Sequence, residues 1–308
     1  MRTTLLNLVV CIAIPLLSLF AQATEREREN LRCPGSSAKF AQIKKKAETG
    51  NAQAQTILAS CYDLGRNVAP NRNENIHWLT LAANQGYAPA ESQLGHIYLY
   101  GSGIPADYQQ ALVWANKAAQ QGEPEAQRDL AFMYERGFGV QADARQAVLW
   151  NRQAAQQGER IAQLQLARAL ETENRDEAME WYRKAGRQEL PDAQLRLAQM
   201  HFEKLNRNCK EAIHWYERAS ENAVAQAMYE LGKIYQSEEC GAHNSAKAYL
   251  WFQTGARYGS QEARAEADKL APMLTGSQRK AFALRIDEWA KKHTGADRHE
   301  AKEEKEER

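Results

Sequence analysis

Seven tryptophans recur along the 308-residue chain at nearly equal intervals, and this spacing restricts the possible folds more than any other feature. Successive tryptophans lie 36, 36, 31, 34, 36 and 38 residues apart, at Trp78, Trp114, Trp150, Trp181, Trp215, Trp251 and Trp289. The length alone would allow two domains, but a period this short is typical of stacked repeats that bury a core only together. The spacing therefore predicts an array of short repeats.

A second marker places a helix around each tryptophan. An Asn or Asp stands seven residues before each of the first six tryptophans, at Asn71, Asp107, Asp143, Asn174, Asn208 and Asn244. These side chains cap helices, because their oxygens accept from amide N–H groups of the first turn. Alanines three residues before and four after the tryptophans complete one helix face, which favours core packing over a ligand-stacking role for the indole rings.

Each unit also has an earlier helix with an apolar stripe. Ala, Leu and often Tyr occupy positions i, i+4 and i+8, as in Ala90, Leu94 and Tyr98. This spacing predicts one buried helix face. Glycine takes positive φ without steric cost, so the glycines with a period of 36 predict the turn between the two helices: Gly65, Gly101 and Gly137.

The best-preserved units are residues 90–122 (AESQLGHIYLYGSGIPADYQQALVWANKAAQQG) and 126–158 (AQRDLAFMYERGFGVQADARQAVLWNRQAAQQG). They resemble Sel1-like repeats, which are relatives of the tetratricopeptide repeat. The resemblance covers about residues 51–293. It implies an all-α, right-handed superhelical solenoid whose first helices line a concave surface. The units beginning near Glu159 and Leu190 lack the glycine turn and are closer to a generic helical hairpin.

We divide the chain into five segments: a signal peptide (1–23), an N-terminal segment with a capping helix (24–50), six repeats (51–259), a capping helix pair (260–293) and a charged tail (294–308). The signal peptide has a basic start, an apolar run over 5–20 and a cleavage site ending at Ala23. A membrane anchor is disfavoured, since about 20 apolar residues are needed to span a bilayer. We therefore expect an exported bacterial protein without stable membrane insertion, periplasmic or else secreted.

The charge balance argues against two classes of partner. The chain has 40 Lys and Arg against 39 Asp and Glu, a net charge of +1. Nucleic acids and anionic membranes attract broad basic surfaces, so neither is an expected partner. The histidines form no i, i+4 pair, and no phosphate-binding glycine loop is present. We expect no metal or cofactor.

Four cysteines remain after cleavage, and their positions predict two disulfides. Contacts in a solenoid join neighbouring repeats, which favours the pairs Cys33 with Cys61 and Cys209 with Cys240. Disulfides agree with export to an oxidising compartment. A zinc site is the alternative, but the two pairs lie several repeats apart and neither has C-x-x-C spacing.

Serine motifs raise the possibility of an enzyme. Some cysteine-rich Sel1-like proteins are associated with penicillin binding, and the pattern S-x-x-K occurs here at Ser36 with Lys39 and at Ser277 with Lys280, while Ser220 begins an S-x-N. No K-T-G follows, and the cysteine pair per repeat typical of those relatives is missing. We therefore predict a non-enzymatic protein and keep weak β-lactam hydrolysis as an alternative.

Helical geometry indicates which side chains of the first helices could meet a partner. Positions two before, two after and five after the core leucine lie opposite the buried stripe. They include Thr56, Ser92, Leu99 and Leu164. The proposed concave binding residues are His96, Arg128, Phe132, Arg168, Phe202, Tyr229 and Lys233. Aromatic and Arg anchors are typical of protein interfaces. We predict a scaffold or adaptor that binds a protein or peptide of the cell envelope, with a secreted host-interaction factor as an alternative.

Overall fold

The computed structural model describes residues 31–203 and 208–294, which form fifteen α-helices and no β-strand. After α1, even-numbered helices are the first helices of successive hairpins and odd-numbered helices are the second. Their bounds are α1 Ser37–Glu48, α2 Ala52–Leu64, α3 Arg72–Ala83, α4 Ala88–Tyr100, α5 Tyr108–Gln120, α6 Pro124–Arg136, α7 Ala144–Gln156, α8 Arg160–Leu170, α9 Arg175–Arg187, α10 Pro191–Phe202, α11 Cys209–Glu221, α12 Ala225–Gln236, α13 Ser245–Arg257, α14 Gln261–Leu270 and α15 Gly276–Thr294. The predicted class, an all-α solenoid of helix-turn-helix repeats, is confirmed.

The helices fall into two compact units, one ending at Ala169 and the other beginning at Leu170. Each unit has a core built from the predicted stripe. Leu94 and Leu130 are fully buried in the first unit, and Leu197 and Leu231 in the second. The tryptophans are at least half-buried on the second helices, three of them almost completely: Trp114, Trp181 and Trp215.

All six predicted caps form as expected. Each Asn or Asp precedes the first residue of a second helix, and its side chain accepts from one or two amide N–H groups of the first turn. Asp107, for example, accepts from the amides of Gln109 and Gln110 at 3.1 and 3.0 Å. A cap of this kind contributes about 1 kcal/mol, so the residues that set the repeat register also stabilise it.

The turn between the two helices of a hairpin depends on glycine. Gly101 ends α4 in the left-handed conformation, with a φ of 63°. Gly139, in the next turn, has a φ of 70°, and a Cβ there would lie 2.4 Å from the Tyr108 carbonyl oxygen. After the turn at Gly101, the chain is bonded back to α4, since the amide of Asp107 donates to the Tyr98 carbonyl at 2.9 Å. Only glycine fits both the conformation and the space at Gly139.

A ladder of buried amide side chains, which the sequence analysis missed, joins successive hairpins. In four first helices, a glutamine directly follows the alanine that begins the apolar stripe. The side-chain amide of this glutamine donates to a backbone carbonyl near the end of the preceding helix. The donors and acceptors are Gln55 to Ala47, Gln127 to Ala119, Gln163 to Ala155 and Gln194 to Gly186, at 2.9–3.2 Å. Three of these glutamines also accept from an amide at the end of the following second helix: Gln85 to Gln55, Gln157 to Gln127 and Asn222 to Gln194. Each glutamine adds a second hydrogen bond to a carbonyl that already accepts from a backbone amide in the turn after its helix, as Ala119 does from Gly122 at 3.1 Å.

Both predicted disulfides are present. Cys33 and Cys61 join the segment before α1 to α2, with their Cα atoms 5.0 Å apart. Cys209 and Cys240 join the start of α11 to the segment after α12, with a Cα separation of 5.7 Å. These four sulfur atoms are bonded to one another, so they are not available as zinc ligands in this state.

Several predictions concern residues that the structure does not describe. The signal peptide, 1–23, and nearly all of the charged tail, 295–308, lie outside the described residues. No helix within 31–203 or 208–294 is long and apolar enough to cross a membrane. The segments predicted to cap the array contain α1 at one end and α14 and α15 at the other.

Candidate functional site

The first unit contains a groove of about 680 Å³ that runs along α4. Its walls come from the end of α2, from α3 and from the start of α6. Polar side chains such as Gln93 and Ser92 line it together with Pro89 and Ile97. His96 and Arg128, two of the predicted binding residues, both lie on its surface.

A buried carboxylate holds the groove residues in place. The Asp129 side chain is 1% exposed, and its Oδ2 lies 2.9 Å from Nδ1 of His96. Its Oδ1 accepts from Arg128 Nε at 3.0 Å and Nη2 at 2.7 Å, and from the Tyr100 hydroxyl at 3.4 Å. Arg128 also lies 3.5 Å from Glu159. One acid thus orients three side chains from two neighbouring first helices.

The network shifts the pKa of Arg128 and of Tyr100. Burial alone would lower the pKa of the Arg128 guanidinium, but the charges of Asp129 and Glu159 outweigh this effect and raise the pKa. Burial, followed by the charge of Asp129, raises the pKa of Tyr100 to about 12. Tyr100 therefore stays a neutral hydroxyl donor, and Arg128 stays a cation, over the whole physiological range.

Aromatic rings extend from this network in a continuous row. The rings of His96 and Tyr100 are 4.5 Å apart, and Tyr100 stacks on Phe132 at 6.0 Å with an interplanar angle of 18°. Phe132 contacts Phe138 edge-on at 5.7 Å, and Phe138 stacks on Tyr108 at 4.4 Å. Tyr100 and Tyr108 are 47% and 38% exposed. We call these five residues the aromatic row.

The predicted binding residues divide between the two units. His96 and Arg128 bond to Asp129 and Phe132 stacks on Tyr100 beside them, while Arg168 is exposed near the end of α8. Phe202, Tyr229 and Lys233 belong to the second unit. There, Lys233 lies 2.9 Å from Glu230 and 5.3 Å from the centre of the Tyr229 ring.

The side of the first helices that was predicted to meet a partner is only partly exposed. Four of its predicted positions are buried: Thr56, Ser92, Leu99 and Leu164. Leu99 packs against Ala111 of its own hairpin and against Met133 of the next hairpin, which covers that flank of α4. Helical periodicity describes one isolated helix and contains no information about which flank a neighbouring repeat covers.

A charged cluster occupies the first-helix side of the second unit. Arg196 donates through Nε to Glu171 at 2.9 Å and lies 3.4 Å from Glu203, while the Tyr182 hydroxyl donates to Glu171 at 2.7 Å. The hydrogen bond from Arg196 lowers the pKa of Glu171, although burial opposes it. These groups satisfy one another and hold α9 and α10 together.

The three serines of the enzyme alternative have structural roles. Ser36 caps α1 and accepts from the backbone amide of Lys39 at 3.5 Å. Ser220 is fully buried and donates to the Tyr216 carbonyl at 2.8 Å. Ser277 is exposed in the first turn of α15, 3.0 Å from the Thr275 hydroxyl.

Comparison with known proteins identifies the repeats. The model of the Sel1 repeat matches six times, at residues 52–87, 88–123, 124–159, 161–190, 191–224 and 225–260. No curated protein matches the chain.

The solved structures that are similar to this chain include two repeat proteins. One is a protective antigen present in uropathogenic Escherichia coli strains that displays an SLR fold, with a TM-score of 0.73 and 26% identity over 84% of this chain. This chain spans 57% of that protein's length. The other is a Sel1 repeat protein from Oxalobacter formigenes, with a TM-score of 0.58 and 25% identity, covering 68% of this chain and 89% of that one. Because the six matched segments span more than half of the sequence, the chain belongs to the Sel1 repeat family.

Proposed function

We propose that this protein is an exported scaffold that binds an extended segment of a cell-envelope protein in the groove along α4. Sel1 repeat proteins generally act as non-enzymatic scaffolds for protein–protein interaction. The observation that carries the proposal is the Asp129 network, which holds His96, Arg128 and Tyr100 in fixed positions beside an open groove. Side chains that are ordered before binding lose little entropy when a partner arrives.

The chemistry of the groove suits a polypeptide. Gln93 supplies an amide group that can pair with an extended backbone, and Pro89 supplies an apolar contact. Next to the groove, the aromatic row exposes the rings of Tyr100 and Tyr108, the kind of aromatic anchor that carries much of the affinity in protein interfaces.

Export is supported by two features of the chain. The first 23 residues have the pattern of a signal peptide, and the protein contains two disulfides, which persist in oxidising compartments. We place the protein in the periplasm. A secreted protein is the second candidate, favoured by the description of one structural relative as a protective antigen. Recovery of the mature chain from the osmotic-shock fraction supports the periplasm, whereas recovery from culture medium supports secretion.

Site-specific crosslinking tests the binding face. Benzoylphenylalanine replaces Gln93 in the groove or, as a control, Leu149, which is 52% exposed on α7. A partner protein should be crosslinked from position 93, and that protein should not be crosslinked from position 149. Tyr100→Ala with Tyr108→Ala should reduce the yield, while the exposed control pair Leu81→Ala with Val113→Ala should not. Equal crosslinking from both positions would refute the groove as the binding face.

A further inference from the structure

A second pocket, of about 600 Å³, lies in the second unit between two second helices, α9 and α11. Four cations dominate its lining, Arg183, Arg187, Lys210 and Arg218, and His214 lies among them. One acid, Glu211, and the ring of Trp215 complete it. We call this site the cationic pocket. It is distinct from the groove of the first unit.

The acids around the cationic pocket leave two of its cations unpaired. Arg183 pairs with Glu180 on its own helix, and Arg218 lies 3.5 Å from Glu189 and 3.9 Å from Glu221. Arg187 and Lys210 form no ion pair with any residue that the structure describes. Both are exposed, so their charges are available to a ligand.

The repeat fold does not require these charges. In the first unit the second helices α5 and α7 have the same relation to each other as α9 and α11, which allows a direct comparison. The five positions there hold one cation and four neutral residues: Asn116, Gln120, Arg145, Leu149 and Gln153. The whole chain has a net charge of only +1, so the concentration of positive charge is local.

Two structural features keep the pocket in shape. Trp215 is 5% exposed and lies against Gly186, where a Cβ would be 3.0 Å from Cζ3 of the indole. The disulfide from Cys209 to Cys240 anchors the start of α11, next to Lys210. The cations are therefore displayed from two helices with fixed positions.

We propose that the cationic pocket binds an acidic segment of a partner protein, with carboxylates of that segment pairing with Arg187 and Lys210. A volume of about 600 Å³ is far larger than the ~30 Å³ share of one water molecule, and it accommodates several side chains rather than a single small anion. The aliphatic stems of the arginines offer apolar surface to the rest of the segment. This inference does not depend on the groove along α4.

The test uses the mature chain and a fluorescein-labelled peptide of alternating Glu and Gly, with fluorescence anisotropy as the readout. A matched peptide with Gln in place of every Glu should bind about tenfold more weakly, because each lost charge pair weakens binding by a few-fold. Arg187→Gln with Lys210→Gln should weaken binding of the Glu peptide by a similar factor. Added salt should weaken it further.

The control variant is Arg279→Gln with Lys280→Gln, which removes the same charge from exposed positions on α15. Its affinity should stay within about twofold of the natural chain. Circular dichroism must show equal helix content in both variants. Equal affinity for the two peptides, equal loss in the two variants, or saturable binding of inorganic phosphate without peptide binding would each overturn the proposal. Tyr100→Ala with Tyr108→Ala tests the groove separately and should leave peptide affinity unchanged.

Discussion

Glu91 stands at a position of the amide ladder where four other repeats have glutamine, and this exception leads to a quantitative prediction. Glu91 is 3% exposed, and the amide of Gln121 donates to its carboxylate at 2.6 Å. The other glutamines also donate to a carbonyl eight residues earlier, as Gln127 does to Ala119. An ionised carboxylate has no proton to donate, so the corresponding carbonyl in this repeat, that of Ala83, gains no such bond.

The pKa of Glu91 determines how the stability cost of this missing hydrogen bond depends on pH. Burial raises the pKa above its ordinary value of 4.5, although Lys117 and the amide of Gln121 oppose the rise. The folded state therefore binds the proton more tightly than the unfolded state. The free energy of unfolding falls as the pH rises from the ordinary pKa to the raised one, and the loss persists at neutral pH.

We expect Glu91→Gln to raise the free energy of unfolding by about 1 kcal/mol at neutral pH, the usual contribution of one hydrogen bond. The gain should shrink toward zero at about pH 4, because protonated Glu91 can donate to the Ala83 carbonyl as glutamine does. Urea denaturation followed by circular dichroism at both pH values measures the difference.

Gln127→Glu is the matched control, since it creates the same defect in the next repeat. It removes the donor to Ala119 but keeps the acceptor for Gln157, which lies 2.8 Å away. We expect a loss of about 1–3 kcal/mol at neutral pH and a smaller loss in acid. The reasoning would be refuted if Glu91→Gln were neutral or destabilising at neutral pH, or if its effect were the same at both pH values.

Three further predictions concern stability. Asp129→Ala should lower the free energy of unfolding by about 3 kcal/mol, because it leaves a half-buried guanidinium without its main partner; thermal denaturation measures the loss, and an unchanged Tm would contradict the network. Gly139→Ala should cost about 2 kcal/mol or more, since its Cβ would lie 2.4 Å from a carbonyl oxygen, whereas Gly122→Ala, with a φ of 95° and open space around it, should cost about 1 kcal/mol. Similar urea midpoints for the two glycine variants would show that the clash is relieved. Replacing Cys209 and Cys240 by Ser should cost about 4 kcal/mol, the chain entropy of closing a loop of 31 residues. If the variant is still less stable than the natural chain when both are measured under reducing conditions, the disulfide is not the cause of the loss.

Much of the fold could be predicted from short-range patterns. Asn71 and its five counterparts are visible as caps because capping depends on a side chain and the amides two or three residues away. The Ala and Leu stripe is visible because the helix period alone places these residues on one face. The cysteine pairs could be predicted because a solenoid brings only neighbouring repeats together.

The candidate site was predicted only in part. His96, Arg128 and Phe132 were placed on the correct helices, but Asp129, which holds two of them, was missed. A signal for it existed, since Asp129 directly precedes the core residue Leu130 and had to be at the edge of the buried stripe. The burial of Leu99 was also missed, because one of its partners, Met133, belongs to the next hairpin.

The sequence by itself determined the helices, their caps, the repeat register and the class of fold, since all of these depend on residues within about two helical turns of one another. The tertiary structure alone decided the amide ladder, the Asp129 network and the cationic pocket. Each of these joins side chains about 30 residues apart, as in Gln157 with Gln127, His96 with Asp129 and Arg187 with Arg218. Such contacts depend on the rotation and spacing of one hairpin against the next, and the close packing of whole helices sets that geometry.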